Sequence, residues 1–144
     1  ELSVRSLVTG VETNAKGDAS FAGGYKSEAH ESEAFAYGSS VKATGEQSAA
    51  FGQFTVAGGK ESVALGYESQ AHGKQSFAQG YQNIANGNNS TVFGSGNVVN
   101  GDRSLASGHD NTLEGFNSFV VGYDNHLTNN YASAIGRVNS VGSF

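Results

Sequence analysis

The 144 residues include 21 Gly but no Cys, Pro, Met or Trp, and carry a net charge of −5. This composition excludes a disulfide framework and a thiolate metal centre, and the acidic balance opposes a nucleic-acid partner, which wants a basic face. No apolar run approaches the roughly 18 residues that cross a bilayer as a helix, so these residues are expected to make no membrane contact themselves.

From the N-terminus, the first element is Ser6-Leu7-Val8-Thr9-Gly10, with small residues at alternate positions. Thr13-Asn14-Ala15-Lys16-Gly17 follows, and the pair then returns every 14 residues. Gly closes the first element at 10, 24, 38, 52, 66, 80, 94, 108, 122 and 136. Four residues earlier stands Ser in eight of the ten copies, with Ala34 and Ala132 as exceptions; two residues earlier stands Ala or Val. In the second element the leading column is Thr13, Ser27, Val41, Thr55 and Ser69, then Asn83, Asn97, Asn111, Asn125 and Asn139. Its middle column is Ala as far as Ala85, then Val99, Leu113, Leu127 and Val141. Its last column is mostly Gly, with Glu31, Asn129 and Ser143 substituting.

Repetition at a fixed period marks a solenoid. Alternation of small residues means period 2, hence strands. Two five-residue strands and two two-residue links make one flattened coil, and ten such coils stack as parallel strands into a rod of roughly 45–50 Å. Only Ser, Ala, Gly and an occasional Val fit inside so thin a roll. Gly at the strand ends suits a tight turn or a close backbone approach. The shift to Asn, Val and Leu after residue 83 predicts a wider bore there, with a stacked amide ladder.

The outward positions differ between the two strands. The first strand, from Ser to Gly, holds no charged residue in any copy, and its outward positions carry Leu7, Phe21, Phe35, Tyr37, Phe51, Val63, Leu65, Phe77, Phe93, Leu105, Phe119, Val121 and Ile135. The second strand points mostly polar residues outward, interrupted by Val56, Ile84 and Val98. An apolar stripe as long as the rod exceeds what soluble monomers expose. Self-association through it is expected, and Leu7, Phe21, Phe35, Phe51, Val63, Leu65, Phe77, Phe93, Leu105, Phe119, Val121 and Ile135 form the expected subunit contact. Tyr25, Tyr67, Tyr81 and Tyr123 follow the Gly column in the link and predict a partial aromatic ladder. It either contacts a ligand, as exposed aromatics do at binding hot spots, or shields the strand edges at a subunit seam.

Ser62-Val63-Ala64-Leu65-Gly66-Tyr67-Glu68-Ser69-Gln70-Ala71-His72-Gly73 resembles the S-V-A-I-G-x-x-S-x-A-x-G repeat of YadA-like head domains, as do Asn117-Ser118-Phe119-Val120-Val121-Gly122 and Ala132-Ser133-Ala134-Ile135-Gly136. These heads belong to trimeric autotransporter adhesins of Gram-negative bacteria. The resemblance covers nearly the whole chain. It implies an all-β fold, a left-handed parallel β-roll assembled as a homotrimer, with residues 1–144 as a single head domain. It also implies a place on the bacterial surface, above a stalk and a C-terminal outer-membrane anchor. The implied partners are a host matrix protein, a cell-surface receptor or another bacterial surface. The chain opens at Glu1 without Met or signal peptide and is read as a fragment of a longer protein. A structural solenoid, such as a phage tail-fibre segment or spacer, is the alternative.

Other chemistries fit poorly. His30 and His72 share a column but stand three coils apart, roughly 14 Å at strand spacing, too far to ligate one metal. His109 and His126 show no evident partner. Calcium-binding β-rolls need nonapeptide repeats with Asp at fixed places. An ice-binding face would need a regular Thr array, whereas Thr44, Thr112 and Thr128 are out of line. No column supplies the convergent reactive groups of an active site, so neither catalysis nor a cofactor is expected.

Overall fold

The computed structural model describes residues 5–142; Ser143, assigned above to the Gly-rich column, lies outside them, as do Glu1 and Phe144. The described residues form two parallel sheets of ten strands each and no helix. Long strands run from Leu7–Val11 to Ser133–Arg137 at intervals of 14 residues, alternating with short strands from Asn14–Ala15 to Ser140–Val141. In both sheets the strands lie in chain order. The register is unshifted, with Val63, Phe77 and Thr91 side by side, and Ala64, Ala78 and Val92 likewise. Every sequence column is therefore a physical ladder running up a ten-coil parallel β-solenoid.

Two boundaries differ from the sequence reading. The long strand starts one residue after the Ser column and ends one residue after the Gly column, and the short strand spans two residues instead of five. The Ser belongs to a turn. Ser20, Ser48 and Ser90 donate their hydroxyls to the carbonyls of Gly17, Gly45 and Gly87, each at 2.6 Å. The Ser20 and Ser48 backbone amides donate to the same carbonyls at 3.3 and 3.2 Å. That i to i−3 pattern is a β-turn; it takes the Ser amide out of the ladder, while the Ser carbonyl still accepts from the preceding coil, as Ser20 does from Leu7 N–H at 2.9 Å. The shift also carries Arg137 into a long strand, so the observed long strands are not free of charge.

The core is four stacked columns. Ser62, Ser76 and Ser90 represent the first, Ala64, Ala78 and Val92 the second, Ser69, Asn83 and Asn97 the third, and Ala71, Ala85 and Val99 the fourth. All are fully or almost fully buried. Small side chains are required because the two backbones nearly touch, as interiors without voids demand. Val99, Leu113 and Leu127 are completely buried where the fourth column grows larger.

Turns do not fall on the Gly column, as one of the two sequence-based options had it. Two residues per coil take left-handed backbone angles, and eighteen of these are not Gly, among them Glu12, Lys26, Phe54, Glu61, Glu68 and Val138. Each such residue costs roughly 1–2 kcal/mol in isolation. Here the turn amide bonds to the coil before it, as Lys26 N–H does to the Val11 carbonyl at 2.9 Å and Glu68 N–H to that of Gln53 at 2.9 Å. These bonds hold the strained turns in line.

The Gly column serves close approach instead. At Gly66 (φ 110°) a side-chain carbon would fall on the carbonyl oxygen of Gly80 in the next coil, and the same holds up the ladder. Those carbonyls turn into the roll and accept hydrogen bonds from the opposite wall. Ser27 and Ser69 hydroxyls reach Gly38 and Gly80 at 3.0 and 3.1 Å. Asn83, Asn97, Asn111 and Asn125 amides reach Gly94, Gly108, Gly122 and Gly136 at 2.7–3.0 Å.

The amide ladder read from the sequence is present. Asn97 donates to the Asn83 carbonyl oxygen at 3.0 Å, Asn111 to Asn97 at 2.8 Å, Asn125 to Asn111 at 2.7 Å and Asn139 to Asn125 at 2.8 Å. Nearer the N-terminus the column is less well satisfied: the hydroxyls of Thr13 and Thr55 find no partner.

Two substitutions test this construction by denaturant titration. Gly66→Ala, which forces a carbon onto a carbonyl at a φ that L-residues avoid, is expected to cost more than about 2 kcal/mol. Asn111→Ala removes a side chain that joins both coil neighbours and the opposite wall. It is expected to cost about 2–4 kcal/mol, against about 1 kcal/mol for Ser69→Ala, which loses one bond.

Candidate functional site

The stripe expected to form the subunit contact lies on the outer face of the long-strand sheet. None of its members is buried within a single chain: Phe21, Phe35, Val63, Leu65, Phe77, Leu105 and Val121 are half-buried, whereas Leu7, Phe51, Phe93, Phe119 and Ile135 are exposed. Neighbouring rings pack along it. Phe21 stacks on Phe35 with centroids 4.5 Å apart, Phe35 on Phe51 at 4.9 Å, and Phe77 lies tilted against Phe93 at 5.5 Å. Gly23 makes room where Phe21 and Tyr37 close over the sheet. The upper and lower coils complete the stripe with Leu7 at 60% and Ile135 at 76% exposure, values that leave most of each side chain in water.

The tyrosines stand at the last position of the long strand, not in the link. They do not form one ladder. Tyr67 and Tyr81 stack at 5.2 Å with planes 7° apart. Tyr123 is sandwiched between the His109 ring at 5.2 Å and the Arg137 guanidinium at 5.0 Å. Tyr25 sits alone beneath the Lys26 ammonium, 5.1 Å from the ring centre. The column between them is filled by Ser39, Gln53 and Ser95, which end the stacking. The sequence offered this spacing, since coils 3, 4 and 7 carry no aromatic there.

His109 does have a partner, contrary to the sequence reading: its Nε2 lies 3.0 Å from an Asp110 carboxylate oxygen. His30 and His72 each bond to the residue two positions earlier, Glu28 at 2.9 Å and Gln70 at 2.8 Å. Among the described residues, no three His, Cys, Asp or Glu side chains converge.

The turn after the long strand carries a feature that alternation alone did not reveal. Phe54 occupies a left-handed position (φ 56°) in a column otherwise mostly charged or polar. Its ring meets Tyr67 edge to face at 6.0 Å. Beside it Gln82 donates to the Glu68 carboxylate at 2.6 Å. A hydrogen bond from the Tyr67 phenol to Glu68, reinforced by the carboxylate's charge, holds that phenol's pKa above its ordinary value. A shallow groove of about 480 Å³ opens here, lined by Phe54, Glu68, Gln70, Gln82 and Ile84. Its signal in the sequence is the break in column chemistry at residue 54.

A family model described as the YadA head domain repeat matches residues 43–69, 71–97 and 86–111. Residues 43–111 form a YadA-like head domain. The coils on either side continue its register, from Leu7 beside Phe21 at one end to Phe119 beside Ser133 at the other. Phe51, Val63, Leu65, Phe77, Phe93 and Leu105 of the stripe and Tyr67 and Tyr81 lie within the matched segments, as do Phe54, Glu68, Gln82 and Ile84 of the groove, with Gln70 between two of them. No curated protein matches the chain.

Proposed function

We propose that residues 1–144 are the single, left-handed head domain of a trimeric autotransporter adhesin, and that three copies pack through their long-strand faces. Leu7, Phe21, Phe35, Phe51, Val63, Leu65, Phe77, Phe93, Leu105, Phe119, Val121 and Ile135 then make the interface. The short strands and turns face outward. An anchor beyond these residues holds the head on the bacterial surface, where it attaches to a host matrix protein, a cell-surface receptor or another bacterium. The head does this without catalysis or cofactor. Tyr25, Tyr67, Tyr81 and Tyr123, beside the seam, belong to the contact surface. The observation that carries the reading is the long-strand stripe. It is apolar and only partly shielded from water along the solenoid, in a chain whose residues 43–111 match the YadA head domain repeat. Weak contacts repeated along three chains then add by avidity.

Sedimentation equilibrium is expected to give a trimer, and a stable monomer at micromolar concentration would overturn the packing. Phe77→Asp places an unpaired carboxylate in the dry interface and is expected to weaken assembly by more than about 100-fold. Asn86→Asp, on the opposite face, should leave it unchanged; equal behaviour of the two variants would relocate the interface. For function, the trimer is expected to bind at least one member of a panel of collagens, laminin, fibronectin, cultured cells and whole bacteria. A Phe77→Asp monomer should bind the same surface at least roughly tenfold more weakly through lost avidity. A trimer that adheres to none of these would favour a spacer.

A further inference from the structure

The groove around Phe54 has a chemistry that the stripe and the tyrosines do not share. Phe54 and Ile84 give it apolar walls. Glu68 offers a carboxylate already positioned by the Gln82 amide at 2.6 Å. Gln70 uses its carbonyl oxygen to accept from His72 Nε2 at 2.8 Å, which leaves its amide NH₂ for a ligand. Gln82 donates its NH₂ to Glu68 and so presents its carbonyl oxygen. Acceptors and donors therefore alternate around an aromatic ring, in a volume within the range of small-molecule sites.

These groups discriminate among ligand classes. A cationic side chain would have to share the Glu68 carboxylate with the Gln82 amide, and no other group lining the groove carries a negative charge to hold it. An acidic ligand would meet that carboxylate and a chain of net charge −5. A strand-like peptide needs a free sheet edge, whereas the groove crosses coils whose backbone ladders are paired on both sides. What remains is a neutral molecule with hydroxyls on its rim and an apolar C–H face to lie on the negative face of a phenyl ring. Phe54 supports this from another side. It is an aromatic held in a left-handed turn, where Ser40, Glu68 and Gln82 show that polar residues serve the coil equally well. The ring at this position is thus not something the turn requires.

We propose that the groove formed by Phe54, Glu68, Gln70, Gln82 and Ile84 is a saccharide-binding subsite that takes a neutral pyranose unit. The sugar's apolar face lies against Phe54 and its vicinal hydroxyls engage Glu68 and Gln70. Gln70 and Ile84 belong to the short-strand sheet, whereas Phe54 packs on Tyr67 at the end of the long strand. The groove lies within one chain, and its formation does not depend on the proposed trimer.

The test uses the intact chain with four probes: methyl β-glucoside, methyl β-galactoside, di-N-acetylchitobiose and sialyllactose, followed by saturation-transfer NMR. At least one neutral probe is expected to receive saturation at millimolar concentration, with sialyllactose weaker. Phe54→Asn, which keeps a residue tolerant of the left-handed turn, and Gln70→Ala should each reduce that binding by roughly tenfold. Circular dichroism shows whether each variant retains the roll; if Phe54→Asn does not, Gln70→Ala decides. Silence from all neutral probes, equal binding of sialyllactose, or undiminished binding by a folded variant would each overturn the proposal. Sedimentation of the same samples separates this outcome from a failure of the trimer.

Discussion

Most of the roll is tied across its interior by a hydrogen bond from the short-strand wall to a carbonyl of the Gly column, made by Ser27, Ser69, Asn83, Asn97, Asn111 and Asn125 and not by Thr13, Val41 or Thr55. Two backbones packed this closely leave no room for water, and an inward carbonyl without a donor would carry a full desolvation penalty. That carbonyl also occupies the space where the preceding coil's residue would place a side-chain carbon, which is why the column tolerates nothing but Gly. Ser27 and Ser69 cross the gap with a hydroxyl; from Asn83 onward the crossing is made by an amide that also bonds to the coils above and below. The longer amide comes with a larger fourth column, Val99, Leu113 and Leu127, all fully buried. The two changes belong together, since a wall held further off needs more hydrocarbon to fill the space. The run from Asn83 to Asn139 is a continuous network, and where polar networks are complete they rigidify. Thr55, whose hydroxyl finds no partner, marks the less tightly tied portion.

A core of Ala and Ser buries little hydrocarbon, so this roll has a small hydrophobic driving force for its length. The large apolar residues are on the outside. Phe21, Phe35 and Phe51 stack up the long-strand face, which shields part of each ring and leaves the rest in water. Covering that face with like faces supplies the missing burial, at about 25 cal/mol per Å² of apolar surface. The thinness that demands Gly, Ala and Ser inside thereby pushes the aromatic residues outside and makes association part of the folding problem.

The period, the four inward columns and the apolar stripe were legible in the sequence because each is a repeated choice imposed by one backbone geometry. The Asn ladder was legible for the same reason. What escaped was set by bonds that residue type alone does not announce. Ser48 has the small size of a strand-interior residue, yet its hydroxyl closes a turn on Gly45 and moves the strand boundary by one. Left-handed turns at Glu61 or Lys26 run against the usual preference for Gly, and they are held because carbonyls of the preceding coil accept from their amides. The tyrosines share a column, but stacking needs adjacent coils, and only Tyr67 and Tyr81 are adjacent. His109 seemed partnerless along the chain because its carboxylate is the next residue, Asp110, and its ring partner lies 14 residues away on the coil above.

A solenoid of this kind separates the positions that make it fold from those free to vary. The inward columns and the Gly column are dictated by the backbone, and the long-strand face by association. The turn columns answer to neither: their strain is carried by coil-to-coil amide bonds that any side chain leaves intact, as the sequence of Lys26, Ser40, Phe54, Glu68 and Gln82 up one column demonstrates. Diversity is therefore least costly in the turns and on the short-strand face. A change there alters what the surface presents without altering the rod that presents it. Phe54, Glu68, Gln70, Gln82 and Ile84 all lie in those free columns, drawn from three consecutive coils, so that a site of mixed chemistry is assembled from residues none of which the fold requires. Recognition can then change from coil to coil while the ladder beneath remains the same.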